Sequence, residues 1–199
     1  VTYLSSTPII SLLRKDNNQM AATTNINRYT GAGGAGASVA AGLKLTRDDS
    51  NTGTTAVPIP PTGTPATNFS FPAVIALYVS SGTGSTLSNK RVYQSGGNPT
   101  GFQLFHNSDA TTPATSATYT QQNAAVASTS TAISTPPAGY VAMTTSTSGT
   151  VFDATGATIA NAGSGIASKY MYVVMGADQT ATTTGNVTLA SINVLYDEQ

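Results

Sequence analysis

The stretch "NFSFPAVIALYVS", residues 68–80, sets the strongest limit on what this chain can fold into. Phe69, Phe71, Ala73, Ile75, Leu77 and Val79 fall on one side of a period-two alternation, with Val74, Ala76 and Tyr78 on the other. A pleated strand sends successive side chains to opposite faces, so the pattern describes a central strand covered on both sides. Pro72 marks a bulge or the strand's opening, because proline cannot donate to a ladder.

The same period recurs along the chain. In "ASVAAGLKLTR" the apolar positions are Val39, Ala41, Leu43 and Leu45, and further strands are expected over 90–94, 101–106, 116–121, 140–144, 169–176 and 186–196. The last two read as an antiparallel pair returned through "DQTATTTG". Gly/Pro punctuation such as "PIPPTGTP", "QSGGNPTG" and "STPPAGY" separates these runs at short spacing, as in all-β folds. There are 34 Thr against 16 charged residues, and β-branched side chains favour strands because they lose χ1 freedom on a helix. Only residues 8–15, "PIISLLRK", and 121–126 have the spacing for a short helix.

The fold expected is therefore all-β: an antiparallel β-sandwich or jelly-roll-like single domain with an N-terminal arm. Residues 1–35 form the arm and a Gly-rich hinge, and residues 36–199 form the body. Phe69, Phe71, Ile75, Leu77, Val173, Leu189 and Ile192 are expected among its buried residues. A chain of 199 residues suits one such domain. A chain of that size buries roughly 70% of its unfolded surface, so its core needs no staple.

Charge narrows the function classes. Eight basic and eight acidic residues cancel, leaving no electrostatic footprint for nucleic acid or an anionic membrane. No run approaches the roughly 18 apolar residues of a membrane span. The absence of Cys removes thiol catalysis, thiolate metal sites and disulfides together. Arg14 and Lys15 follow the first apolar stretch instead of preceding it, which is the reverse of a secretory signal.

"TGAGGAGASVAAG" contains G-x-G-x-x-G in Gly31, Gly33 and Gly36, the spacing of a dinucleotide-binding turn. That motif needs a buried parallel strand before it and a helix after it. Here "TNINRYT" precedes it and a strand pattern follows, so the string reads as a flexible turn or hinge. His106, the one histidine, ends "GFQLFH" with Asp109 three residues on, and no G-x-S-x-G elbow accompanies them, so it reads as a polar residue at a strand end. Asp48, Asp49, Asn51 and Gly53 imitate the start of a calcium loop, but Pro60 occupies the place of its closing Glu, which leaves an Asx turn. Lys44, Lys90 and Lys169 lie in or beside strands, where an isopeptide crosslink to Asn would need burial and an adjacent acid. Asn68 and Asn186 head N-x-S/T sequons. No catalytic, cofactor or metal set emerges, and no cofactor is expected.

"NINRYTGAG", "PIPPTGT", "LSNKRVYQSGG" and the closing "SINVLYDE" together resemble a group of tailed-phage virion structural proteins over most of residues 24–198. The resemblance implies a β-sandwich or jelly-roll-like body and a place in the virion. The role would be capsid decoration, cement or accessory protein, acting on copies of itself and on a major capsid or other shell protein. The first 20 residues depart from that pattern, and a start at Met20 would remove them. The competing class is an extracellular, cell-surface filament subunit that donates its N-terminal strand to a neighbour's sheet. In either class the assembly arm carries Tyr3, Leu4, Ile9, Ile10, Leu12 and Leu13. A carbohydrate-binding module is weaker, since such sites usually offer exposed Trp and there is none.

Overall fold

The computed structural model describes residues 5–6, 10–15, 22–29, 37–39, 42–49, 55–59, 66–82, 84, 86–109, 126–127, 136–137, 139–158, 163–183 and 185–199. Among these there is no helix, and strands assemble into two packed sheets and a small third one. The larger sheet holds nine: β3 (Thr23–Tyr29), β4 (Ala37–Ser38), β5 (Ala66–Phe69), β6 (Ala73–Ser81), β8 (Phe102–Asp109), β9 (Val126–Ala127), β10 (Val141–Ala142), β13 (Gly165–Ile166) and β14 (Tyr170–Asp178). Its ladder runs β10-β8-β14-β6-β3-β4, antiparallel throughout. The five-stranded sheet contains β2 (Ile10–Lys15), β7 (Thr86–Ser95), β11 (Thr150–Asp153), β12 (Ala157–Thr158) and β16 (Ser191–Glu198), in the order β11-β7-β16-β2 with β12 also on β7. β1 (Ser5–Ser6) and β15 (Asn186–Val187) form a parallel pair.

The chain is thus an antiparallel β-sandwich, as the alternation predicts. Its main core lies between the sheets: Ile75, Leu77, Val79, Met171, Val173 and Met175 of the larger sheet meet Leu87, Val92, Ile192, Val194 and Tyr196 of the smaller. Leu43, Leu45 and Val57 join this core, each 0% exposed, from backbone that makes no ladder. The alternation in "ASVAAGLKLTR" therefore marks Val39, Leu43 and Leu45 correctly as buried, but only Ala37–Ser38 is a strand, Thr46 is buried as well, and Ala41 lies outside the described residues. Arg28 holds this segment in place: its guanidinium, on β3, donates to the Lys44 carbonyl at 2.9 Å.

A second apolar layer covers the opposite face of the larger sheet. It contains Tyr29, Phe69, Val74, Ala76, Phe105, Tyr140, Tyr172 and Val174. Edge-to-face contacts join Tyr29 to Tyr170 at 5.4 Å and Phe69 to Phe105 at 6.1 Å, the arrangement aromatic quadrupoles prefer. Burial pushes the Tyr29 phenol up to about 12 and raises that of Tyr140 as well. Residues 73–77 are consequently buried on both faces.

Pro72 does mark a bulge. Phe69 pairs with Gly176 while Ala73 pairs with Val173, so one extra residue is inserted between β5 and β6. Ser70 bridges the gap, its N–H donating to the Met175 carbonyl and its Oγ accepting from the Met175 N–H. A one-residue insertion reverses every side chain beyond it. Phe69 therefore sits in the second layer and not with Ile75 and Leu77, and Phe71 is only half-buried. The other five residues expected in the core are buried.

Several local expectations are corrected. Residues 10–15 form a strand, not a helix, because β16 offers them a ladder partner in parallel register from Ile192↔Ile10 to Asp197↔Lys15. Residues 23–29, assigned to the arm, form β3, an internal strand paired with β6 and β4. The runs 169–176 and 186–196 do not pair with each other: β14 belongs to the larger sheet, and the chain crosses to the smaller one before β16. The expected strand over 140–144 is reduced to β10, and that over 116–121 lies outside the described residues.

Candidate functional site

The densest polar constellation lies inside the sandwich, where β7 meets β11. Lys90 alternates with Val92 and Gln94, both buried, so strand geometry turns it inward, and its side chain is 0% exposed. Asp153 stands opposite it in register, with Nζ 3.4 Å from Oδ2. Both oxygens of Asp153 are occupied. Oδ1 accepts from the Thr155 N–H at 3.0 Å and its hydroxyl at 2.6 Å, and Oδ2 accepts from the Lys169 N–H at 3.0 Å. The Lys90 ammonium also donates to the Thr155 carbonyl at 2.5 Å.

Burial alone would raise the Asp153 carboxyl, but these hydrogen bonds and the Lys90 charge together bring it below its ordinary value. Burial lowers Lys90, and Asp153 opposes that shift. The carboxylate, held by three donors besides the ammonium, is the firmer charge of the two. Of the three lysines considered for a crosslink, Lys90 alone is fully buried beside an acid, and that acid is an ion-pair partner. Lys44 and Lys169 are half-exposed.

Beside the pair, a depression of about 400 Å³ open to solvent is lined by Asp153, Thr155, Ala157, Ile166, Ser168 and Lys169. Its polar groups already bond within the protein: the Ser168 hydroxyl donates to the Lys169 carbonyl and accepts from the Leu77 N–H. The arrangement clamps β11, β6 and the segment leading into β14. Asp153 was not singled out from sequence. Its signal is Asp-x-Thr, a local turn repeated at Asp178, whose Oδ1 accepts from the Thr180 N–H at 2.7 Å.

His106 is not at a strand end. It lies inside β8, on the face of Phe102 and Leu104, between Val141 and Val173 in register, and is 3% exposed. Among the described residues neither ring nitrogen has a hydrogen-bond partner. Burial pushes its pKa down to about 4, so the ring is neutral at pH 7. Asp109 ends the same strand.

The glycine string joins two adjacent antiparallel strands, with Asn27↔Ser38 and Arg28↔Ala37 as the last pairs before the turn. Residues 30–36 lie outside the described residues. Its flanks, β3 and β4, pair in one sheet, so the string does not divide arm from body. The Asp48 carboxylate accepts from the Thr55 N–H at 2.8 Å, seven residues along the chain, a longer reach than an Asx turn spans. Asn51, Gly53 and Pro60 lie outside the described residues. Asn68 is buried, and its Nδ2 donates to the Pro58 carbonyl at 2.7 Å, whereas Asn186 is exposed at the start of β15.

Of the assembly-arm residues, Ile10, Leu12 and Leu13 are in β2, opposite Ile192, Val194 and Leu195; Tyr3, Leu4 and Ile9 lie outside the described residues. β2 is the end strand of the smaller sheet, and β16 is its ladder partner. No protein-family model, curated protein or solved structure matches this chain.

Proposed function

We propose that this chain is a non-enzymatic structural protein of a virus particle, a capsid decoration, cement or accessory virion protein that packs against copies of itself and a shell protein. The observation that carries the reading is the N-terminal strand. β2 pairs with the edge of β16 through the backbone, and sheet edges are where strands of neighbouring subunits add. Charge supports it: eight acids and eight bases in 199 residues give an exterior with little repulsion to keep monomers apart.

The strings that carry the phage likeness are framework: "NINRY" ends β3, "LSNKRVYQS" makes up most of β7, and "SINVLYDE" is β16, the ladder neighbour of β7. The ionisable groups of the interior also serve the framework, with Lys90 and Asp153 neutralising each other and His106 closed off from solvent. A second reading, an extracellular filament subunit assembled by strand donation, is favoured by the parallel seat of β2 and by the exposed sequon at Asn186. Electron microscopy of native material separates the two: icosahedral heads or tails carrying the protein support the virion, threads support the filament, and free monomers overturn both.

A further inference from the structure

We propose that β1 and β2 are exchangeable strands, and that in the assembled state the seat along β15 and β16 is filled by the same two strands of a second copy of this chain. The inference rests on the subunit reading above and specifies the contact through which it acts.

The ladder partners of this segment are confined to the other end of the chain. Ser5 and Ser6 pair with Asn186 and Val187, and Ile10 through Lys15 pair with Ile192 through Asp197. β7 occupies the opposite edge of β16, so the seat is a single open edge six residues long. Backbone hydrogen bonds of that kind are the same whichever copy supplies the strand, and exchange of an identical element costs no contact. The occupant that matches all of these positions is another copy of the same chain.

The tether sets the geometry. Lys15 is opposite Asp197, and the chain is fixed again at Ala22, whose N–H donates to Glu198 Oε1 at 2.9 Å; Thr24 Oγ1 then lies 3.2 Å from the Tyr196 hydroxyl. The segment therefore leaves and re-enters at one end of β16 through residues 16–21. Six residues span at most about 20 Å, so an exchanging neighbour must present its β16 edge alongside. Short hinge connections favour exchange of the element they tether.

The chain has no cysteine, so introduced thiols report the contact without background. Leu13 and Leu195 are register partners, as are Ser11 and Asn193. Full-length Leu13→Cys and Leu195→Cys single variants are mixed under denaturing conditions, refolded, assembled and oxidised, and linked peptides are identified by mass spectrometry. A link between residues 13 and 195 can then form only between copies. Random exchange predicts linkage of about half of the Leu195→Cys chains. The double variant, oxidised while dilute and monomeric, forms the same link within one chain and establishes that the seat is folded.

An intramolecular link in the double variant with no mixed link in the assembled singles overturns the exchange. The Ser11→Cys and Asn193→Cys pair repeats the test two residues along the same face of the strand, should the first pair disturb folding. Particles or threads that form without the mixed link sink the exchange and leave the subunit reading intact. Failure of the unmodified chain to assemble at all sinks the subunit reading.

Discussion

His106 makes stability depend on pH in a way that one side chain can be shown to control. The ring is 3% exposed, carries no hydrogen bond among the described residues, and is held neutral because burial penalises the imidazolium. Its folded pKa of about 4 lies below the ordinary 6.5 of the unfolded chain, so the unfolded state binds the proton first as pH falls. The contribution is fully present above pH 6.5 and is lost progressively down to pH 4. At 1.36 kcal/mol per pH unit, that gap is worth roughly 3 kcal/mol in all, and about 2 kcal/mol of it is gone by pH 5.

The assay is urea unfolding of the wild type and of His106→Leu at pH 7 and pH 5. Leucine fills a similar volume without a titratable group, and it removes two unsatisfied polar atoms whose burial costs about 1–3 kcal/mol. At pH 7 the variant should therefore be as stable as the wild type or more so. Between the two pH values the wild type should lose about 2 kcal/mol more than the variant. Because the chain has one histidine, its imidazole proton resonance in the folded protein gives the pKa directly. An NMR titration midpoint above pH 6, or equal losses in the two proteins, would refute the reasoning.

The remaining expectations test other parts of the structure. Asp153→Ala leaves the Lys90 ammonium buried without its counter-ion and should cost about 3–5 kcal/mol in urea unfolding, against a smaller loss for Lys90→Met, which leaves Asp153 its three other donors. Gly101→Ala should be strongly destabilising while Gly97→Ala stays near neutral. At Gly101, φ is +82° and a Cβ would collide with the backbone of Ala181, whereas at Gly97 nothing lies within 4 Å. In a host that glycosylates secreted proteins, peptide mapping should find glycan on Asn186 and none on Asn68, whose amide is engaged with Pro58.

The fold class was legible because burial in a sandwich follows period two, and that signal is local. The alternation around Ile75 and Leu77 and the one through Leu43 and Leu45 both mark core residues correctly. Pairing was less legible, since it depends on residues far apart in the chain. "PIISLLRK" has apolar spacing compatible with a short helix, and β16, roughly 180 residues later, decides the matter by offering an edge. The connection after β14 looked like a hairpin because its length permits one. Nothing local shows that the next long strand belongs to the other sheet. Pro72 signalled the bulge, and its consequence for Phe69 follows from counting side-chain parity across the inserted residue.

The candidate site divides in the same way. His106 could have been placed inside from "GFQLFH" alone, since it alternates with Phe102 and Leu104, but its polarity suggested a strand end. Lys90 likewise alternates with Val92, and a lysine on that face demands a buried partner. The partner is 63 positions away, and only the pairing of β11 with β7 brings it there. The N-terminal segment presents the opposite case: its apolar content marked it as an element that must dock, while its seat on β16 is fixed by the register of two chain ends. A strand so placed pairs with β16 at one edge of the smaller sheet, while the core formed by Ile75, Met171, Val173 and their neighbours on β7 and β16 lies between the two sheets. An edge paired through backbone alone is where we propose that one subunit is completed by another.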